Sequence, residues 1–441
     1  MTETIESGVI CVVGLGKIGL PLAVQCALGG REVIGCDVSP QVVDAVNRGD
    51  APFDAEQGLA EALRRVHGEG RFRATTDTAA AAATASVVVI IVPVALTDSC
   101  EVDYHFIDAA TLSVGAGLRP GVLVVYETTL PVGTTRGRLA QLLQSASHLE
   151  AGTDFRLAFS PERVYSGRVF RDLARYPKIV GGIDQASTEA ALRFYQSVLQ
   201  AEVRALSSAE AAEYTKLVET TYRDVNIALA NEFALYAERE GLDVQEVIAA
   251  ANSQPFSHVH QPSVGVGGHC IPVYPYFLFS KWDDFRLPPL ARAINDSMAA
   301  HGVDRLEEAL GSLAGLHVLI LGLTYRENVK ENAHTSARKL SRELRHRGAT
   351  VLGHDPLLTL EEQTALKVHP VSLSPLPTVD AVILQANHDA YRELDLSAFP
   401  GLRVVLDGRG ALDAQARQEL AAHGIRTLRI GLAASPVGAR E

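Results

Sequence analysis

Short apolar runs, separated by helix-like stretches, are the first pattern along the chain. Val9–Val13, Val87–Val92 and Val122–Tyr126 are continuous runs rich in β-branched residues, and a helix-like stretch at Leu20–Leu28 follows the first of them. Continuous runs of this length are typical of parallel strands that helices cover on both faces. The first ~200 residues therefore predict a doubly wound α/β domain, since strands and helices alternate along them.

The pattern becomes helical from Ser207 to Ala251. This segment is rich in Ala, Glu, Leu and Lys, it has no proline, and its one interior glycine is Gly241. It predicts a long helical region, which serves either as a dimer interface or as an internal helix of one monomer. A second α/β pattern then starts at the apolar run His317–Leu323.

The fold class predicted from these patterns is α/β, with two Rossmann-like doubly wound domains joined by a long central helical segment. After its first strand, the second domain continues with a helix-like stretch at Ala337–Arg347 and three strand-like runs, Thr350–Gly353, Ala381–Leu384 and Val404–Leu406. The predicted domains span residues 1–205, 206–305 and 306–441.

Charge narrows the classes of function. The chain has 40 Lys and Arg against 52 Asp and Glu, a net charge of −12. So acidic a chain is a poor general binder of nucleic acid, whose phosphates require cations. No apolar run reaches the ~20 residues of a membrane span, and the acidic first eight residues lack the basic region of a signal peptide. We therefore expect no nucleic acid and no membrane among the partners, whereas a local site for a small anion agrees with this charge.

The cysteines predict a reducing environment. Cys11, Cys26, Cys36, Cys100 and Cys270 are odd in number and scattered, and no two of them have CxxC spacing. This distribution argues against a disulfide framework and against a zinc site, so we expect no metal. The cytoplasm is the expected location.

A glycine motif follows the first strand directly. Gly14, Gly16 and Gly19 form GxGxxG before the first helix, and the second strand ends at Asp37. The first glycine permits a tight turn, the second lets the backbone approach a pyrophosphate, and the third lets helix pack on strand. The N–H groups at the start of the helix then face the phosphates. Because a carboxylate at Asp37 accepts hydrogen bonds from ribose hydroxyls and repels a 2′-phosphate, the motif predicts NAD rather than NADP.

A second glycine-rich loop ends in a cysteine. Within the loop of residues 252–275, Gly265, Gly267 and Gly268 precede Cys270. Glycines at this density let a ligand approach the backbone closely. We interpret Cys270 as a nucleophile exposed to that ligand; the alternative is an inert buried thiol.

Several segments together resemble the UDP-glucose/GDP-mannose dehydrogenase family, and they occur in the family's order over nearly the whole chain. The segments are GxGxxG with Asp37, Glu127–Thr135, Ser160–Arg163, Ala212–Leu217, Asn231–Glu232, Gly267–Pro272 and Asp407–Arg409. Within the family, Ser160–Val164 and Tyr222–Ala228 resemble the branch that oxidises UDP-N-acetylhexosamines such as UDP-N-acetylmannosamine or UDP-N-acetylglucosamine.

The resemblance implies a four-electron oxidation with two NAD per sugar. The C6 hydroxyl loses a hydride to give an aldehyde, a cysteine thiolate adds to it, and a second hydride loss leaves a thioester that water hydrolyses to the uronate. The resemblance also implies a UDP-sugar as substrate and a homodimer. The first domain would bind NAD, the central one would carry the dimer interface and the substrate loop, and the last would bind the UDP-sugar.

The family's roles map onto particular residues. The resemblance implies that Cys270 is the nucleophile, that Lys216 stabilises the alkoxide and oxyanion, that Glu162 is a general base, and that Thr129 holds a water or the C6 oxygen. The implied NAD-binding residues are Gly14, Gly16, Lys17, Ile18, Gly19, Asp37, Pro93 and Thr129. The implied substrate-binding residues are Glu162, Arg163, Val164, Lys216, Gly265, Gly267, Gly268, His269, Arg292, Tyr325 and Arg326. Without the resemblance, Lys216 would be assigned to a solvated helix face, Glu162 to a loop, and Arg292 with Asn295 to a surface helix.

Three positions depart from the family pattern. Thr220 stands where the family usually has a catalytic Asn, Tyr274 where it has Asp, and Ala333 where it has Arg. A threonine hydroxyl can still donate a hydrogen bond, so Thr220 stays in the predicted catalytic set. A phenol with a pKa of ~10 is a much poorer base than a carboxylate at pH 7. His269 is a hypothetical substitute, because histidine titrates near neutrality.

These departures keep two alternatives open. The enzyme could act on UDP-glucose, or it could stop at the aldehyde. Only an enzyme that stops at the aldehyde would form one NADH per sugar. The chain could also be a non-catalytic nucleotide-sugar-binding protein that binds NAD and UDP-sugar without turnover. The retained Cys270, Lys216 and Glu162 favour a working enzyme.

Overall fold

The computed structural model describes residues 2–53, 56–165 and 167–433. The chain divides into two compact units. The N-terminal unit comprises Met1–Glu219 and Tyr276–Asp283, and the C-terminal unit comprises Thr220–Pro275 and Asp284–Glu441. The three domain ranges expected from the sequence stay a prediction beside this two-part division.

The N-terminal unit is built on an eight-stranded sheet. The described residues of the unit form ten strands: β1 (Ile10–Val13), β2 (Val33–Cys36), β3 (Phe72–Thr75), β4 (Val87–Ile90), β5 (Ala95–Leu96), β6 (Val102–Asp103), β7 (Leu123–Tyr126), β8 (Arg156–Phe159), β9 (Lys178–Gly182) and β10 (Val203–Ala205). β5 and β6 form a separate antiparallel pair, and the other eight strands form the sheet. The sheet order is β10-β9-β8-β7-β4-β1-β2-β3. All neighbours pair in parallel except β8 and β9, which are antiparallel.

Helices surround this sheet because its central strands are apolar on both faces. Every residue of β1, β4 and β7 is buried. The helices are α1 (Thr2–Ser7), α2 (Gly19–Leu28), α3 (Pro40–Asn47), α4 (Leu59–Gly68), α5 (Thr78–Ala82), α6 (His105–Gly117), α7 (Ala140–Ser147), α8 (Val169–Arg175) and α9 (Gln185–Val198), and a π-helical turn at Thr135–Leu139 precedes α7. The doubly wound domain predicted from the sequence is confirmed, and its strands end one or two residues from the predicted bounds.

The central helical region is two helices rather than one. α10 (Ala209–Glu240) has 32 residues, and α11 (Val244–Ala251) follows it. The break lies at Gly241, whose φ of +75° is favourable for glycine and ends the helix. The Asp243 side chain then accepts a hydrogen bond from the Gln245 N–H and caps α11.

The C-terminal unit contains a second, six-stranded parallel sheet. Its strands are β11 (His317–Leu321), β12 (Thr350–His354), β13 (His369–Pro370), β14 (Ala381–Leu384), β15 (Val404–Asp407) and β16 (Arg426–Arg429), in the order β13-β12-β11-β14-β15-β16. Helix α12 (Tyr274–Phe279) begins in this unit, and its residues from Tyr276 onward belong to the N-terminal unit. The other helices of this unit after α11 are α13 (Leu287–Leu310), α14 (Ser336–His346), α15 (Leu360–Ala365) and α16 (Ala414–Ala422), with 3₁₀ turns at Asp389–Tyr391 and Leu396–Ala398. This confirms the second Rossmann-like domain.

Both units fix the turn after their first strand in the same way. In the N-terminal unit the Leu15 N–H donates to Asp37 Oδ2 at 2.9 Å, and Asp37 directly follows β2. In the C-terminal unit the Leu323 N–H donates to Asp355 Oδ2 at 2.6 Å, and Asp355 directly follows β12. An acidic residue at the end of the second strand thus anchors the glycine turn in each half.

Candidate active site

The three glycines of the first turn have different physical roles. Gly14 has a φ of +99°, and a Cβ atom there would lie 2.9 Å from the Ile91 carbonyl oxygen. A Cβ at Gly19 would lie 1.9 Å from the Gly14 carbonyl oxygen, so neither position accommodates a side chain. At Gly16, by contrast, a Cβ would meet no atom of the described residues within 4 Å. Gly14 and Gly19 are therefore required by the fold, whereas Gly16 leaves space beside the backbone for a ligand.

The Asp37 carboxylate is oriented before any ligand binds. Its Oδ2 accepts from the Leu15 N–H and its Oδ1 from the Ser39 N–H, both at 2.9 Å. Because each carboxylate oxygen has a second acceptor site and Asp37 is half-buried, the group can still accept hydrogen bonds from a ribose diol. Lys17 and Ile18 lie in the same turn, and Pro93 follows β4. The open glycine and the acceptor at Asp37 fit NAD.

Glu162 is held by three hydrogen-bond donors. Its Oε1 accepts from the main-chain N–H groups of Arg163 at 2.7 Å and Val164 at 3.1 Å, and its Oε2 contacts the Lys178 Nζ at 2.9 Å. Burial by itself would raise the pKa of Glu162, but the Lys178 ammonium and these hydrogen bonds bring it below its usual value. The carboxylate is therefore ionised and fixed in one orientation.

Lys216 is turned toward Glu162. Its Nζ donates to the Glu162 carbonyl oxygen at 2.5 Å, and the residue is half-buried on α10. The solvated helix face that the sequence alone suggested for Lys216 is therefore wrong. This contact brings two of the predicted catalytic residues together within the N-terminal unit.

Glu213, which sequence reasoning did not assign, joins α10 to the segment that contains Thr129. Its carboxylate accepts the main-chain N–H groups of Gly133 at 2.5 Å and Thr135 at 2.8 Å. Burial raises the pKa of Glu213 to about 7, against the effect of these hydrogen bonds. Thr129 is itself buried. Glu213 lies in the family-like segment Ala212–Leu217, and this resemblance was the sequence signal available for it.

Arg163 is already engaged by protein groups. Its Nη1 donates to the Pro177 carbonyl oxygen at 3.0 Å, and its Nη2 lies 2.5 Å from Glu219 Oε1. These contacts orient the segment that carries Glu162. The predicted role of Arg163 in substrate binding stays a prediction.

In the C-terminal unit, protein side chains occupy the space beside the second glycine loop. A Cβ at Gly265 would lie 2.7 Å from Ser336 Oγ, and one at Gly267 would lie 2.7 Å from Tyr325 Cβ. At Gly268, where φ is +101°, a Cβ would lie 3.1 Å from Tyr325 Cε2. The glycines thus allow Tyr325 and Ser336 to pack closely on the loop, which the sequence explained only by the approach of a ligand.

Cys270 starts a short turn after this loop. Its thiol is free and the residue is half-buried, so it is not the inert fully buried thiol of the alternative interpretation. Its carbonyl oxygen accepts from the Tyr274 N–H at 2.9 Å, and the next carbonyl, of Ile271, lies 3.4 Å from Arg292 Nη1. Tyr274, the residue that replaces the family's Asp, therefore helps to close the cysteine turn through its backbone.

Arg292 and Asn295 are buried on α13, so their assignment to a surface helix is wrong. Arg292 Nη1 lies 3.0 Å from Asp224 Oδ1, and the Asn295 Nδ2 donates to the same oxygen at 2.8 Å. Arg292 Nη2 also contacts Asp296 at 2.8 Å. Burial raises the pKa of Asp224 to about 6, although the Arg292 guanidinium opposes this. Arg292 therefore connects a buried charged network to the Cys270 turn.

The remaining predicted substrate residues lie around Tyr325. The Arg409 Nη2 donates to the Tyr325 carbonyl oxygen at 3.1 Å, and the Arg326 guanidinium lies 5.8 Å from the Tyr325 ring centre. His269 is 64% exposed, and its Nε2 is 4.0 Å from Glu331 Oε1. The substitution of His269 for the missing carboxylate stays a hypothesis. Thr220 is buried on α10.

Sequence models of the UDP-glucose/GDP-mannose dehydrogenase family match three parts of the chain. The NAD-binding domain of the family matches residues 9–199, its central domain residues 210–297, and its UDP-binding domain residues 319–414. The chain belongs to this family. It is an NAD-dependent nucleotide-sugar dehydrogenase, and both the predicted family and the predicted cofactor are confirmed.

Named relatives and solved structures agree with this assignment. The UDP-N-acetyl-D-mannosamine dehydrogenase of Pyrococcus horikoshii is 33% identical over 91% of this chain and 96% of its own. The NDP-N-acetyl-D-galactosaminuronic acid dehydrogenase of Ralstonia solanacearum is 33% identical over 93% and 98%. The Pyrococcus horikoshii enzyme structure has a TM-score of 0.85 at 31% identity, with 96% and 99% of the two chains covered. The UDP-glucose dehydrogenase structure from Pyrobaculum islandicum has a TM-score of 0.85 at 28% identity, covering 97% and 98%.

Among residues 2–53, 56–165 and 167–433, no helix is both long enough and apolar enough to span a membrane.

Proposed function

We propose that this enzyme oxidises the C6 hydroxyl of a UDP-N-acetylhexosamine of the ManNAc or GlcNAc type to the uronic acid. The reaction removes four electrons and uses two NAD per sugar. The contact between Lys216 and the Glu162 carbonyl is the observation that carries the proposal, because it holds the ammonium against the main chain of the residue whose carboxylate is fixed in one orientation. The names of relatives at about one-third identity support the choice of N-acetylhexosamine.

The residues divide the chemistry between them. When bound, NAD supplies the hydride acceptor for both oxidations. The Cys270 sulfur forms a bond to the C6 aldehyde carbon, which gives a thiohemiacetal and, after the second oxidation, a thioester. The Lys216 ammonium stabilises the negative charge that develops on the C6 oxygen. Glu162 takes a proton from the water that attacks the thioester, and the C–S bond breaks to release the uronate and the Cys270 thiol.

A panel of UDP-sugars tests the proposal, with NADH counted per sugar consumed. We expect two NADH with UDP-N-acetylmannosamine or UDP-N-acetylglucosamine, and no acid from Cys270→Ser. Cys100→Ser is the matched control, because Cys100 is an exposed free thiol and we expect full activity from it. A preference for UDP-glucose, or binding without turnover, would contradict the proposal.

The replacement of the family's Asp by Tyr274 favours a second candidate, an enzyme that stops at the aldehyde. The phenol at Tyr274 cannot supply a carboxylate for the hydrolytic half of the reaction. One NADH per sugar, together with a product that reacts as an aldehyde, would establish this candidate over the first.

We also propose that the enzyme is a homodimer that pairs through one face of α10. Along this helix, large apolar side chains recur every three, four or seven residues, the spacing of a single helix face. They are Tyr214, Val218, Tyr222, Leu229, Phe233 and Tyr236, and they expose between 43% and 62% of their surfaces. A contiguous apolar stripe of this kind is typical of a surface that pairs with another chain.

Light scattering tests the dimer. We expect twice the chain mass of 47.2 kDa for the wild type, and the mass of one chain for Phe233→Glu because a carboxylate would be buried in the apolar interface. Leu360→Glu is the control, since Leu360 is 69% exposed on α15. A dimeric Phe233→Glu variant would reject this interface.

The cytoplasm is the proposed location, because all five cysteines are free. The Cys11 and Cys36 sulfur atoms lie 3.5 Å apart on neighbouring strands without a bond between them. Titration of the unfolded protein under non-reducing conditions should count five thiols. A count of three would mean that this pair is oxidised, contrary to a reducing compartment.

A further inference from the structure

A buried cluster of two carboxyl groups and one ammonium lies behind Glu162. Lys178 Nζ is 2.9 Å from Glu162 Oε2 and also 2.9 Å from Glu127 Oε2. The side chains of Lys178 and Glu127 are 5% and 0% exposed, and that of Glu162 is 13% exposed. Glu162 is therefore the outermost member of the cluster, and Glu127 lies wholly inside the protein.

The sheet topology explains why these residues meet. Glu127 directly follows β7, and Glu162 lies three residues after the end of the neighbouring strand β8. Lys178 is the first residue of β9. Because β9 runs antiparallel to β8, its first residue lies at the same edge of the sheet as the last residues of β7 and β8. The reversal of one strand thus brings a cation to the edge where both carboxyl groups end.

The charges in the cluster favour one shared proton. Two carboxylates and one ammonium would leave a net negative charge in a buried site, and one added proton makes the cluster neutral. Burial and the neighbouring Glu162 together raise the pKa of Glu127 to about 7, although the Lys178 ammonium lowers it. The proton therefore resides on Glu127, while Glu162 is ionised.

The other groups around Glu127 are not alternative proton acceptors near pH 7. The Tyr195 hydroxyl, on α9, donates to Glu127 Oε1, and burial keeps the pKa of Tyr195 well above 10. Cys26, on α2, also faces Glu127, and burial raises the pKa of this thiol to about 12. Lys178 keeps its proton, since the two carboxylates raise its pKa against the effect of burial.

We propose that Glu127 and Lys178 are positioning residues that act through Glu162, with Glu127 exchanging a proton with Glu162 during hydrolysis of the thioester. This role rests on the proposed function. Above pH 7, where Glu127 has lost the resting proton of the cluster, the attacking water gives one proton to Glu162 as its oxygen bonds to the thioester carbon, and that proton moves on to Glu127. Glu162 is thereby restored, the C–S bond breaks, and the proton returns by way of Glu162 to the Cys270 sulfur. The sum is thioester plus water to carboxylic acid plus thiol.

Glu127→Gln separates this role from hydride transfer. The amide keeps the shape of the side chain but cannot exchange a proton at neutral pH. We expect the early burst of two NADH per site to persist, while hydrolysis at pH 8 slows by roughly 10²-fold, as for loss of acid–base assistance. Mass spectrometry should then find the sugar bound to Cys270. In the wild type the hydrolysis rate should rise with pH through about 7, and in Glu127→Gln that rise should be absent.

Two variants of Lys178 test its part. Lys178→Met leaves two carboxyl groups without a cation, so it should slow hydrolysis. Lys178→Arg keeps the charge and should restore most of the rate. Should Lys178→Met fail to fold, Glu127→Gln and Lys178→Arg still decide the proposal. Glu202→Gln is the control for the amide change, because Glu202 is an exposed residue paired with Arg204 and should behave as wild type.

The outcomes separate this role from the proposed function. Suppose that the wild type forms a Cys270 adduct and two NADH, and that Glu127→Gln keeps the wild-type rate and pH profile. This result would overturn the role of Glu127 and leave the proposed function standing. A wild type that forms neither an adduct nor a second NADH would overturn the proposed function, and this role with it.

Discussion

At the scale of single residues, the first turn separates glycines that the fold needs from one that the ligand needs. A side chain at Gly19 would collide with the Gly14 carbonyl oxygen, whereas a side chain at Gly16 would meet no described atom. Both positions belong to the same sequence motif, so the motif alone does not distinguish them. The distinction depends on which backbone atoms come close after folding.

Alanine at these two glycines should therefore have different effects. We expect Gly19→Ala to lower the melting temperature, since a contact of 1.9 Å must be relieved by moving backbone. Gly16→Ala should leave the melting temperature of the NAD-free protein within a degree or two of wild type, roughly the effect of a neutral surface change. It should nevertheless weaken NAD binding about tenfold or more, because the methyl group displaces the pyrophosphate. Calorimetry with and without NAD checks both, and equal melting temperatures for the two variants would contradict the distinction.

The sequence predicted residues that belong to motifs but not those that support them. Cys270 was predicted from its glycine-rich loop and the family resemblance, and Lys216 and Glu162 from the resemblance alone. Lys178 and Tyr195 reach Glu127 from β9, which lies two strands away from β7 in the sheet, and from helix α9. No local spacing brings these three residues together, so only the sheet order reveals the cluster.

At the scale of elements, the Glu213 side chain connects α10 to the loop after β7 by hydrogen bonds. The carboxylate accepts two main-chain N–H groups of that loop. The sequence predicted the helix and the loop separately, since each has its own pattern. The hydrogen bonds between the helix and the loop were not predictable, because predicting them requires knowing which face of α10 meets the sheet edge.

The pKa of Glu213 gives this bond a pH dependence. Because the folded pKa of about 7 exceeds the ordinary value near 4.3, the folded state holds a proton that the unfolded state loses. The contribution of Glu213 to stability is therefore present at low pH and falls as the pH rises from about 4 to about 7, by about 4 kcal/mol in total. Glu213→Gln should reduce this decline in the melting temperature between pH 5 and pH 8. An unchanged slope would mean that Glu213 is ionised throughout.

At the scale of the whole molecule, each of the two units has an acidic residue after its second strand, and the two residues have different roles. Asp37 and Asp355 each follow a second strand and accept an N–H of the turn after the first. Asp37 is half-buried, whereas Asp355 is buried and pairs with His388 at 3.1 Å. The sequence predicted both Rossmann-like units, but only burial shows that the second acid is enclosed by its own unit.

Asparagine at these two positions should therefore separate binding from stability. Asp37→Asn should weaken NAD binding about tenfold, since one charge-assisted acceptor is lost. Asp355→Asn should leave NAD affinity unchanged and cost about 2 kcal/mol of stability, as expected for hydrogen bonds to a buried charged group. Titration with NAD and thermal unfolding at pH 7 measure both effects. Loss of NAD affinity in Asp355→Asn would contradict this division.

The pH dependence of Asp355 has the opposite sign to that of Glu213. Burial opposes ionisation of Asp355, but the hydrogen bonds from His388 and from main-chain N–H groups hold its pKa below the usual value. Its contribution is therefore complete above the ordinary pKa near 3.9 and is lost as the pH falls through the lower folded value. At pH 7 the contribution of Asp355 is therefore complete, so thermal unfolding at that pH measures the whole loss in Asp355→Asn.

The spacing of Glu213 and Lys216 has a consequence for redesign of the substrate range. One turn of α10 carries both the anchor of the Thr129 segment and the cation beside Glu162. An insertion, deletion or kink in that turn would disturb the Glu213 and Lys216 contacts at once, so we expect directed evolution to tolerate few changes there. Libraries that aim at new sugars should therefore leave residues 213–216 untouched.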